Sequence, residues 1–88
     1  MTNTAAPARN THLLADILRT HDMIAHSDAN ARGTNFDGWV RFSQIAEYVD
    51  ATEADIKAIV TDCLENMTSP THKVDYIRPN AFMAYVVT

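Results

Sequence analysis

The densest group of side chains able to do chemistry lies in the segment HDMIAHSD, where His21, Asp22, His26 and Asp28 are all metal-ligand types. Their spacing argues against a shared ion. His21 and His26 are five residues apart, about 140° around a helix, whereas histidines that chelate from one helix sit three or four apart. The plainer reading is a frayed, polar helix end. His26, Ser27 and Asp28 supply the residue types of a nucleophilic triad, but triad members converge from distant positions. Cys63 falls in an apolar stripe, where a thiol stays protonated and inert. Two glycines in the whole chain leave no phosphate-cradling loop. These residues predict no catalysis, no metal and no cofactor.

Binding chemistry is more legible. The stretch VDATEADIKAIVTD, residues 49–62, reads as a turn, a cap and a helix. Glu53, Asp55, Asp62 and Glu65 face a single Lys57 there. On a helical wheel Ala54, Ala58, Thr61 and Glu65 form the exposed top. Lys57 sits on one shoulder, Asp55 and Asp62 on the other. Reading bases needs Arg, Lys, Asn or Gln, and holding phosphate needs cations. A DNA-binding reading must therefore recruit Arg41, Lys73 and Arg78, with His72 nearby, to join Lys57 and Thr61; Arg9, Arg19 and Arg32 are scattered. A protein-binding reading uses Ala54 and Ala58 as small residues that let another helix or loop approach, with Thr61 beside them. Asp62 and Glu65 then select the partner by charge. The bland alternative is an ordinary soluble surface. Trp39, Phe42, Tyr48, Tyr76, Phe82 and Tyr85 are base-stacking types, although so small a domain needs most of them for its core or sheet. Met83 and Tyr85 alternate with Phe82 and Ala84, which leaves one hairpin face apolar as a candidate dimer surface.

The elements that position these residues follow from period and punctuation. Residues 1–10 are small and polar and read as a disordered tail. THLLADILRTHDMIAH places Leu13, Leu14, Ile17, Leu18, Ile24 and Ala25 on one face of a first helix, capped by Asn10 or Thr11. Residues 27–38 read as a long polar loop closing at Asp37-Gly38. WVRF is a short strand. Ser43 is the expected cap of a short second helix over QIAEYV, with Ile45, Ala46 and Val49 inward. After the turn at Asp50-Ala51, Thr52 caps the third helix, with Asp55 placed to reach back toward the cap. Ile56, Ile59, Val60, Cys63, Leu64 and Met67 form its apolar stripe. Strands near 73–78 and 81–87, split by Pro79-Asn80, make a hairpin.

The order helix, strand, helix, turn, helix, hairpin predicts an α+β winged helix-turn-helix domain over residues 11–88: three helices and a small antiparallel sheet with a C-terminal β-hairpin wing. HLLADILRTH followed by DGWVRFSQIAEYVDATEADIKAIVTD resembles the N-terminal winged-helix lobe of the RNA 2′-phosphotransferase family. The matching features are Leu18-Arg19, the entry Asp37-Gly38-Trp39-Val40, and the Thr52-capped helix with Ile56, Ile59 and Val60. That family sets Arg directly before His in its catalytic site. Here the order is Arg19-Thr20-His21, a step of about 100° around a helix, and the cofactor-binding catalytic lobe is absent. The resemblance therefore implies the fold and not the activity.

The chain has 88 residues, net charge −4 and 47% hydrophobic residues. That is one small domain with a core, whose overall field repels nucleic acid. A single cysteine excludes an internal disulfide and fits a reducing compartment. No apolar run spans a membrane, and the N-terminus lacks the features of a secretory signal. The expectation is a cytoplasmic, non-catalytic regulatory binding protein, of the free-standing kind found in prokaryotes and viruses. It acts through a protein partner or as a homodimer, with sequence-specific DNA binding as the alternative.

Overall fold

The structure is a computed structural model that describes residues 11–32 and 38–87. The expected tail at 1–10, with Arg9, and the Asp37 side of the Asp37-Gly38 turn lie outside the described residues. The elements run α1 (Thr11–Arg32), β1 (Trp39–Arg41), α2 (Phe42–Ala46), α3 (Glu53–Asn66), β2 (His72–Ile77) and β3 (Ala81–Val86). Three helices and a three-stranded antiparallel sheet make an α+β domain, with strand order β1-β3-β2.

The first helix buries Leu14, Ile17, Leu18, His21, Ile24 and Ala25, while Leu13 is half-buried. It corrects the expected loop, because residues 27–32 continue the helix to Arg32. Ala29, Ala31 and Arg32 are good helix formers, and no glycine or proline occurs between Thr11 and Gly33. Once a helix is nucleated, extending it through such residues is easy.

The second helix starts two residues earlier than Ser43 capping predicts. Arg41 occupies the cap position, and its backbone N–H donates to Gln44 Oε1 at 3.0 Å. The Phe42 N–H donates to the Asn80 carbonyl of the hairpin turn at 3.0 Å. Phe42 thus leaves the strand because the hairpin occupies its backbone and the core takes its ring. The helix ends at Ala46 and runs out through Glu47, Tyr48 and Val49, which bond back to Gln44 and Ile45.

Thr52 caps α3 as expected, its hydroxyl accepting from Asp55 N–H at 3.1 Å. Ile56, Ile59, Val60 and Cys63 are buried, but the stripe stops there. Leu64 is 36% exposed and Met67 71% exposed. Met67 is the C-cap, in the left-handed region at φ 52°, ψ 51°, which turns its side chain away from the core.

In the sheet, Trp39, Val40 and Arg41 pair with Met83, Phe82 and Ala81. His72, Lys73 and Val74 pair with Val86, Tyr85 and Ala84. A bulge at Asp75 then shifts the register, so that Tyr76 pairs with Met83 and Ile77 with Phe82. The extra residue swaps the faces: Val74 points in, Tyr76 out and Ile77 back in. Val40, Val74, Phe82 and Ala84 line the inner face with the helices packed on it. The rings of Phe42 and Phe82 stack at 5.5 Å there. Each such fully buried side chain contributes about 1.5–3 kcal/mol by leaving water. Among the described residues, no helix is long and apolar enough to cross a membrane.

Candidate binding faces

Helix α3 turns its buried stripe to the core and its other side to solvent. Ala54, Lys57, Ala58, Thr61, Asp62 and Glu65 lie together on one open face of the helix. The five residues expected for protein binding are therefore contiguous, with Lys57 at their edge. Thr61 Oγ1 donates to the Lys57 carbonyl at 2.7 Å, which turns its proton into the helix. Asp62 Oδ1 accepts from Asn66 Nδ2 at 2.9 Å, fixing the carboxylate at the C-terminal rim. Acids favour the start of a helix, where Glu53 and Asp55 sit. Near the end they oppose its dipole by about 0.3–1 kcal/mol each. Glu65 lies in the last turn and Asp62 one turn before, with no basic residue in that turn to offset them.

The remaining cations stand elsewhere. The helices cover one face of the sheet, and Trp39, Lys73, Tyr76, Met83 and Tyr85 alternate onto the other. Tyr76, Met83 and Trp39 make one row across the three strands, and Lys73 and Tyr85 make the next. The Arg78 guanidinium lies 4.0 Å above the Trp39 ring. Arg41 ends β1, at the open edge of the sheet, and also borders a groove with Met23, Ser27, Gln44, Glu47 and Tyr48. Lys57 and Thr61 thus lie on the helical side, while Lys73 and Arg78 lie on the outward sheet face and Arg41 at its edge. The set proposed for DNA binding is not brought together. Phe42 and Phe82 are core residues, whereas Tyr48, Tyr76 and Tyr85 are exposed.

The histidines have different roles from those the sequence suggested. His21 is fully buried, not part of a frayed end. Its Nε2–H donates to the Gly38 carbonyl at 2.7 Å and leans toward the Phe82 carbonyl at 3.3 Å. Its ring lies 4.6 Å from that of Phe82. Burial lowers its pKa below 6.5, partly opposed by those two carbonyls and by Asp22, and reinforced by His72. His72 is also buried and so is withheld from phosphate. Its Nε2 donates to Asp22 Oδ2 at 2.7 Å, and Thr71 Oγ1 is 2.7 Å from its Nδ1.

Thr71, His72 and Asp22 form one chain of hydrogen bonds. The Ser69 hydroxyl accepts the backbone N–H groups of both Thr71 and His72. The network fastens the start of β2 to the middle of α1. His21 was discoverable, since it stands three or four residues from Ile17, Leu18, Ile24 and Ala25. The Asp22–His72 pair spans fifty residues and has no local signal. His26 is exposed, and the side chain of Asp28 lies outside the described residues.

No protein-family model matches the chain, and no curated protein or solved structure matches it either.

Proposed function

We propose that the chain is a small non-catalytic regulatory module with a winged helix-turn-helix architecture, and that its α3 face receives a protein partner. The observation carrying this reading is the exposed α3 face on which Ala54, Lys57, Ala58, Thr61, Asp62 and Glu65 lie together. Small side chains on it admit close approach of a helix or loop. Glu65 opposes the helix dipole in the last turn, while Asp62 is held by Asn66 at the same rim. The partner therefore presents a basic surface. The DNA reading is the weaker one, because a duplex lying on α3 would meet Lys57 without Lys73 and Arg78.

The test is affinity capture from an extract of the source cells, using the wild-type chain, Ala58→Arg and Asp62→Lys. Light scattering on the free chain and anisotropy with random duplex DNA accompany it. A basic protein retained by the wild type and released by both substitutions supports the reading. Salt-sensitive duplex binding that is lost in Lys57→Glu overturns it, as does capture that neither α3 substitution alters.

A further inference from the structure

The outward face of the sheet has a composition unlike the rest of the molecule. The chain carries eleven acidic residues against seven Lys and Arg. The three strands and the hairpin turn reverse that balance: Arg41, Lys73 and Arg78 meet one carboxylate, the half-buried bulge residue Asp75. Two of the three exposed tyrosines share this face with the tryptophan, Tyr48 lying on the helical side. Tyr76 is 60% exposed and Tyr85 39%, while Trp39 is half-buried beneath the Arg78 guanidinium. The bulge at Asp75 is what brings Tyr76 onto this face, as it rotates Tyr76 out of the core and Ile77 into it.

We propose that this face binds a single-stranded nucleic acid. Exposed rings stack on bases whatever their sequence, and a guanidinium lying flat on an indole offers a second planar surface for a base. Lys73 at one end, and Arg78 with Arg41 at the other, supply the charges for the phosphates between. A duplex does not suit the face. Its bases are already stacked on one another, and a broad three-stranded sheet does not enter the major groove as a helix or two-stranded ribbon does. A single strand leaves its bases free to lie on Tyr76 and Tyr85. This site is on the opposite side of the sheet from the helices, so it stands or falls separately from the α3 reading.

Trp39 is the only tryptophan of the chain, so its fluorescence reports from within the proposed site. The experiment titrates the intact protein with a mixed-sequence 12-nucleotide single strand, as DNA and as RNA, and with the corresponding duplex. Trp39 emission and the anisotropy of labelled strands are read at low and moderate salt. One or both single strands should bind more tightly than the duplex and change Trp39 emission. Three phosphate contacts give a salt slope near −2 on logarithmic axes, about a 20-fold loss from 50 to 200 mM salt. Tyr76→Ala and Tyr85→Ala should each weaken binding about fivefold or more. Tyr76→Phe keeps the ring and should retain affinity, and Lys57→Glu on α3 should change little. The RNA and DNA arms decide which strand is preferred. The proposal is overturned by no binding at low salt, by tighter duplex binding, by an unchanged affinity in Tyr76→Ala/Tyr85→Ala, or by an equal loss in Lys57→Glu.

Discussion

Buried His21 makes the domain sensitive to acid, and the size of the effect follows from its surroundings. The ring has no solvent exposure, and desolvation lowers its pKa below the ordinary 6.5. In the unfolded chain the same residue titrates near 6.5. Above that pH neither state is charged and His21 contributes no pH dependence. Below it the unfolded chain binds a proton that the folded chain refuses, so stability falls as pH falls. The decline continues until the folded value is reached. Its steepest slope is about 1.4 kcal/mol per pH unit. A domain of this length has about 4–13 kcal/mol of total stability. Lowering the pH from 6.5 to 5.5 therefore removes up to about 1 kcal/mol through this residue, a drop in Tm of roughly 4–8 °C.

The assay is urea and thermal denaturation by circular dichroism at pH 7.5, 6.5 and 5.5, for the wild type and His21→Gln. Glutamine keeps an N–H donor for the Gly38 carbonyl but cannot titrate. The difference between the two profiles reports the contribution of His21. Stability of the wild type should fall more steeply than that of the variant below pH 6.5. Parallel profiles, or a wild type that gains stability relative to the variant on acidification, would refute the reasoning.

Three further substitutions test the supports around the faces. Thr52→Ala removes the hydroxyl that accepts from Asp55 N–H and should lower the unfolding free energy by about 1 kcal/mol in urea titrations. Asp22→Ala leaves buried His72 without its 2.7 Å acceptor and should cost about 1–3 kcal/mol, with faster amide exchange at the start of β2. Met67→Gly should stabilise by roughly 0.5 kcal/mol. Glycine occupies the left-handed region without the penalty other residues incur there, about 1–2 kcal/mol, offset in part by greater freedom in the unfolded chain. Met67 is 71% exposed, so little packing is lost; a clear destabilisation would show that its side chain does matter.

Local chemistry carried much of the fold. Apolar spacing predicted α1 and the buried side of α3, Thr52 marked a helix start, and Pro79-Asn80 marked the hairpin. Each signal concerns residues within one or two turns of each other, where sterics and hydrogen bonding act whatever the rest of the chain does. The five residues on the α3 face were legible for the same reason, since a helical wheel fixes which side chains lie opposite the buried stripe. The run of α1 through 27–32 was hidden by polarity, because a polar segment without a breaker reads as loop although an established helix extends through it readily.

What the sequence by itself determined, then, was the identity and order of the elements and the composition of single helix faces, because these depend on period and short-range capping. Only the tertiary structure decided which distant residues meet. It joined Asp22 to His72, turned His21 toward the Gly38 carbonyl, drew Phe42 out of the strand to stack on Phe82, and inserted the bulge that sends Tyr76 outward. It also separated Lys57 from Lys73 and Arg78 by placing the helices on one side of the sheet. Those outcomes follow from packing two layers around one core, where burial at one position dictates which way a side chain far along the chain must face.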